Sequence, residues 1–193
     1  MLPQKLQGHV TGDIGSSGYK AQSNDIDLFV DADAVMQHYD TDQESVAKKS
    51  LAQYFTARGI AAKVLSRNVH TEIPYTSQDG TEKYAQVDFM VIKDAKRVAD
   101  WHQHGLRGSY ADPEFKGSAV YMLLSSVAKH LGLKVDPFAG VVMRRDDNTV
   151  VARDRDSAAK ILLHPGAKAS DLNTVQTVMK ALDGDPDREG KLS

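Results

Sequence analysis

The chain has 193 residues, 41% of them hydrophobic and 26% charged, with a formal net charge of -2. That composition suits a globular protein with one domain, or a domain plus a small appendage. There is no Cys, which excludes disulfides and thiolate metal sites and leaves carboxylates, His and carbonyl oxygens to hold any metal. No apolar run reaches the roughly 18 residues that span a bilayer. The opening MLPQKLQGHV lacks the apolar stretch of a signal peptide. A cytoplasmic protein with no membrane partner is therefore expected. Residues 1–105 carry 11 Lys/Arg against 14 Asp/Glu, and residues 106–170 carry 10 against 7. The second portion is mildly basic, a weak pointer to a phosphate-facing surface.

In chain order, residues 9–14 read as a short strand that runs into Gly15-Ser16-Ser17-Gly18, a tight loop. Residues 25–30 (DIDLFV) read as a strand entering a core. Thr41 and Glu44 have capping-box spacing. Ala47, Leu51, Tyr54 and Phe55 follow at helical spacing, with Gly59 as the stop. Residues 60–65 and 69–75 read as strands, and Ser77-Gln78-Asp79-Gly80 as a turn. Residues 83–92 form the next strand. Ala85, Val87, Phe89 and Val91 take one face, and Tyr84, Gln86, Asp88 and Met90 the other.

A division is expected within residues 105–112, giving a first domain over 1–108, a second over 109–182 and a flexible tail over 183–193. In the second domain residues 115–131 read as a helix. Residues 141–145 and 149–152 flank Asp146-Asp147-Asn148 as a hairpin, and 157–163 and 171–182 read as helices. The tail DGDPDREGKLS is rich in Pro, Gly and charge, the composition of a frayed end.

Three carboxylates carry the chemistry. Asp25 and Asp27 lie at i and i+2 on one strand, so they share a face about 6.5–7 Å apart along the chain. Carboxylates this close repel unless a cation lies between them. Asp88 stands alone in an apolar strand (QVDFMVI), where burying it unpaired is costly. If the two strands are neighbours, the three converge into a site for Mg²⁺, a hard cation that keeps waters and accepts phosphate oxygens. Two such ions about 3.5–4 Å apart can clamp the attacking and leaving oxygens of an in-line displacement. Upstream, Gly15-Ser16 lets backbone N–H groups approach phosphates, and Ser16 and Lys20 can contact phosphate oxygens.

Gly15-Ser16, then Asp25-Ile26-Asp27-Leu28, then Val87-Asp88-Phe89 resembles the signature of the nucleotidyltransferase superfamily. Phe115-Lys116-Gly117-Ser118 resembles the palm–thumb turn of family X DNA polymerases. Residues 131–141 (LGLKVDPFAGV) and 154–163 (DRDSAAKILL) are similar to the thumb segments that follow. The likeness covers residues 9–165 and is greatest to small viral members without the lyase domain. It implies an α+β fold: a mixed-sheet nucleotidyltransferase palm with helices, plus a small C-terminal thumb-like lobe. It implies an enzyme, acting as a monomer, that transfers a nucleotide from a (d)NTP to a nucleic-acid 3′ hydroxyl, DNA being the expected partner and DNA repair the setting. Asp25, Asp27 and Asp88 would be catalytic, holding two Mg²⁺ (or Mn²⁺). Gly15, Ser16, Lys20, Phe115, Gly117 and Ser118 would bind the nucleotide, and Arg144, Arg145 and Arg153 the nucleic acid. Met122, Leu123, Ser125 and Ser126 stand where the family has an Asn and an Arg facing nucleotide and template. Two alternatives therefore stay open: a small-molecule, protein or tRNA acceptor, as in antibiotic-modifying enzymes or toxins, and a non-catalytic nucleotide- or DNA-end-binding module.

Other polar residues have plainer readings. Asp31 and Asp33 are expected to solvate the strand exit, His102 and His104 to end a helix without sharing a face, and His70 to be structural or exposed. Tyr110 and Phe115 could stack on a ligand or join the core.

Overall fold

The computed structural model describes residues 2–12, 25–110 and 119–192, with 103–110 described by their backbone alone. Its contacts divide the chain into two units, 1–99 and 100–193. The division falls inside a helix, earlier than the expected boundary after residue 108, because Trp101 belongs to the core of the second unit while Ala99 belongs to that of the first. Among the described residues, no helix is long and apolar enough to cross a membrane.

The first unit is built on four strands: β1 (Asp25–Asp31), β2 (Ala61–Leu65), β3 (Asn68–Thr76) and β4 (Glu82–Ile92), in the order β1-β4-β3-β2. β1 and β4 are parallel and the other pairs antiparallel, so the sheet is mixed. Parallel neighbours need a long crossover. Here it comprises α1 (Ala32–His38), α2 (Glu44–Thr56) and the β2–β3 pair. One sheet face carries Val30, Val69, Val87, Phe89 and Val91 into a core shared with Val35, Ala47, Leu51 and Phe55. The Phe55 and Phe89 rings stack at 5.3 Å. Buried Thr71 is satisfied by donating to the Val87 carbonyl (2.8 Å). On the opposite face Phe29, Ile92 and Met90 pack with Ala95, Val98 and Ala99 of α3 (Ala95–Tyr110).

Several local expectations are corrected. The strand expected over 9–14 is met in part: His9 ends a 3₁₀ helix, Gln4–His9, and Val10 makes one antiparallel bridge with Val30. Thr11 closes the pairing: its N–H donates to the Phe29 carbonyl (2.9 Å) and its Oγ1 accepts from Phe29 N–H (3.1 Å). Residues 13–14 lie outside the described residues. The Thr41–Glu44 capping box does not form. The helix starts two residues later, with Gln43 at the N-cap. Thr41 Oγ1 accepts from Gln43 N–H (3.2 Å), and Glu44 pairs with Lys48 (3.0 Å). Gly59 does end the helix, with φ at +75°, a left-handed conformation that glycine adopts without steric cost.

The second unit contains α4 (Ala119–His130), β5 (Leu133–Asp136), β6 (Val141–Arg144), β7 (Val150–Ala152), α5 (Arg155–Leu162), α6 (Val175–Ala181) and α7 (Arg188–Leu192). The strands form an antiparallel sheet, β5-β6-β7, around a core that includes Trp101, Leu124, Val127, Val142 and Leu162. The expected helix over 115–131 is described from Ala119 onward; 115–118 lie outside the described residues. The hairpin turns at Asn148, whose φ is +60°. The single helix expected over 171–182 is broken into a 3₁₀ turn, Ala169–Leu172, and α6. The break is a cap: Thr174 Oγ1 accepts from Thr177 N–H (3.0 Å), and Thr177 Oγ1 accepts from Thr174 N–H (3.0 Å).

The tail expected to be flexible also folds back. Lys191 on α7 is buried; its Nζ donates to the Leu163 carbonyl (2.9 Å) and to Asp185 Oδ2 (2.7 Å). Composition favours fraying, but one long side chain with two acceptors holds the end.

Candidate metal centre

β1 alternates strictly. Ile26, Leu28 and Val30 pack toward the main core, so Asp25, Asp27 and Phe29 take the other face. Parallel pairing sets Asp27 opposite Asp88, Asp25 opposite Gln86 and Phe29 opposite Met90. The carboxylates therefore share a face with Phe29 and Met90, which pack against Ala95, Val98 and Ala99 of α3. Asp25, Asp27 and Asp88 each offer an oxygen, all within 4.8 Å of one another. Asp88 is 5% exposed, and Asp25 and Asp27 are half-buried.

On its other side Asp88 faces His70, its register partner on β3. His70 Nδ1 is 2.6 Å from Asp88 Oδ1. Gln86 Nε2 lies 3.2 Å from each Asp88 oxygen. His70 and Gln86 also line a groove of about 330 Å³ on the same sheet, together with Lys63, Glu72, Ala61 and Leu65. A ladder of polar side chains thus crosses the sheet: Asp27, Asp88, His70 and Lys63, each opposite the next.

The donor set fits a hard divalent cation. Three carboxylates supply only oxygen, the ligand that Mg²⁺, Mn²⁺ and Ca²⁺ prefer. Three like charges within 4.8 Å, one of them nearly out of water, repel strongly in the absence of a cation. The three aspartates can therefore bind a metal ion.

The remaining expected site residues fall elsewhere. Gly15, Ser16, Lys20, Phe115, Gly117 and Ser118 lie outside the described residues. Arg144, Arg145 and Arg153 are exposed on the second unit. Arg145 Nε donates to the Leu133 carbonyl (2.7 Å), which ties its guanidinium to the edge of β5. Asp31 is a helix cap: its Oδ1 accepts from Asp33 and Ala34 N–H (3.1 Å each). Asp33 is exposed in the first turn of α1. His102 is buried beside the rings of Tyr121 and Phe138, with Nε2 3.0 Å from the Pro137 carbonyl. Burial pushes its pKa down to about 4, against a weaker rise from that hydrogen bond, so the ring is neutral at pH 7.

Sequence reading placed Gln86 on the face of Asp88 without giving it a role, and missed His70 as a neighbour of the site. The signal was the β3–β4 turn. With Thr76 opposite Glu82, each step away from the turn adds one residue to each strand, which brings His70 opposite Asp88. Counting that register needs the hairpin as well as the strands.

No protein-family model matches this chain, and no curated protein matches it in sequence.

Proposed function

We propose that the chain is a metal-dependent nucleotidyltransferase with a polymerase-β-like palm, transferring a nucleotide from a (d)NTP to a nucleic-acid 3′ hydroxyl. The observation that carries this reading is the convergence of Asp25, Asp27 and Asp88 on one sheet face, with Asp88 almost fully buried. Asp25, Asp27 and Asp88 would hold the divalent ions, Mg²⁺ or Mn²⁺. When bound, such a pair neutralises phosphate charge and lowers the pKa of an attacking hydroxyl. The chain's own work is placement. β1 and β4 fix the three carboxylates, and the groove lined by His70 and Gln86, the two side chains that contact Asp88, offers space for the acceptor. Ser16 and Lys20 are assigned to the triphosphate, and Arg144, Arg145 and Arg153 to the phosphates of DNA.

One observation favours a second reading with the same chemistry. The groove carries Lys63, Glu72, His70 and Gln86, a mixed polar lining at the small end of the range of small-molecule pockets. A small polar acceptor would suit it.

The deciding experiment supplies labelled NTPs and dNTPs with Mg²⁺ or Mn²⁺ to oligonucleotide ends, tRNA and small hydroxyl acceptors. Incorporation into an oligonucleotide, lost on chelation, is expected. DNA binding should weaken steeply with salt, because each neutralised phosphate releases counterions. Arg144→Ala with Arg145→Ala should weaken it on all sequences alike, since backbone contacts carry no sequence information. No measurable DNA affinity at low salt would shift the reading to the small acceptor. Transfer to no acceptor would sink the enzymatic reading.

A further inference from the structure

Asp88 differs from its two partners by its depth. At 5% exposure it can draw little on water, yet an ionised carboxylate offers about four lone-pair sites. Two side chains on the same face answer part of that demand. His70 reaches Oδ1 from β3 at 2.6 Å, and Gln86 reaches both oxygens from the same strand at 3.2 Å. A carboxylate ion only accepts, so Nδ1 of His70 is the donor. β3 lies between β2 and β4, so the backbone under His70 is paired on both sides. The terminal torsion of Asp is broad, and the carboxylate plane is free to turn unless something holds it. Donors arriving from two strand positions hold it and still leave lone pairs on both oxygens.

We infer that His70, supported by Gln86, is a positioning residue: it fixes the plane of the Asp88 carboxylate so that this buried group can share a divalent cation with Asp25 and Asp27. The inference rests on the metal-dependent reading above. His70 is not itself a ligand in this role, because the nitrogen facing the triad is engaged with Asp88. Hydrogen-bonded partners of ligating groups typically control metal affinity by about 10–100-fold.

A role limited to filling space and a role in orientation diverge under substitution. An Asn at position 70 carries its amide nitrogen where Nδ1 lies. A Gln is of similar polarity but puts the amide one bond further out, at the position of Nε2.

The test is Mn²⁺ binding by calorimetry to the full chain and to its Asp27→Asn, His70→Ala, His70→Asn and His70→Gln forms, each checked for folding by circular dichroism. Asp27→Asn should abolish binding. His70→Ala and His70→Gln should weaken it by about 10–100-fold, and His70→Asn should stay close to the unsubstituted chain. If His70→Ala does not fold, the Asn and Gln forms decide alone. Unchanged binding in folded His70→Gln, or a loss in His70→Asn equal to that in His70→Gln, overturns the positioning role while the metal site stands. No Mn²⁺ binding by the unsubstituted chain, or full binding by Asp27→Asn, brings down the metal reading and this inference with it.

Discussion

The first unit buries Asp88, and the charges nearest it in the triad are two more carboxylates within 4.8 Å. The second unit buries Arg155 and Lys191, and each is met by groups that suit it. Arg155 donates to the Ala169 carbonyl (3.0 Å) and to Asn173 Oδ1 (2.5 Å). Lys191 donates to the Leu163 carbonyl and to Asp185, whose carboxyl it holds below the usual range. A buried ion surrounded by acceptors of its protons is explained by the fold. A buried ion set beside its own sign is opposed by both burial and repulsion. His70 and Gln86 relieve the first cost for Asp88 but leave the second. The contrast is between charge met by acceptors and charge set among like charge, an arrangement that can bind a metal ion.

Asp27→Asn should break that contrast most completely. Nucleotidyl transfer and Mn²⁺ binding should be lost, while thermal stability without metal should hold or rise, since one of three repelling charges is gone. A variant that keeps its activity, or that melts well below the unsubstituted chain, would show that the triad serves the fold as Arg155 and Lys191 do.

Acid should act on the second unit through His102. Its folded pKa is depressed to about 4 by burial, against 6.5 in the unfolded chain. The unfolded state therefore takes up the proton first as pH falls. Stability is fully present above pH 6.5 and is lost between 6.5 and about 4, a loss on the order of 3 kcal/mol. Trp101, the sole tryptophan and a member of the second core, reports the unfolding by fluorescence. Urea titrations at pH 7 and pH 4.5 should differ, and His102→Gln should narrow the difference. An equal acid loss in that variant would clear His102 of the effect.

A smaller change is expected for Lys191→Met. It leaves the Leu163 carbonyl without its donor and releases α7, for about 1–3 kcal/mol. Hydrogen exchange should quicken in α7 and α4, which pack together, and leave β1 and β4 untouched. Faster exchange across β1 would mean that the two units do not bury their charges independently.

Much of the first unit was legible because its strands alternate. The period of two in residues 25–30 and 83–92 already placed Asp25 with Asp27, and Asp88 with Gln86. Helix starts were read less well. Thr41 and Glu44 have capping spacing, yet Gln43 takes the N-cap, while Asp31, read as a solvated strand exit, caps α1. Short polar side chains bond to whichever backbone N–H groups lie near, so spacing alone does not choose among them. The Thr174–Thr177 cap was missed for the converse reason, since a strong helical pattern hid the break inside it.

The sequence by itself determined which residues carry charge into an apolar setting: two aspartates two apart on one strand and a third alone on another. Periodicity sufficed, because a strand fixes the face of every side chain from one. The tertiary structure decided that β1 lies beside β4 and in what register, setting Asp27 against Asp88. It also decided that Ala95, Val98 and Ala99 of α3 pack against Phe29 and Met90. Pairing across a long crossover depends on how the whole core packs, and no local pattern encodes that.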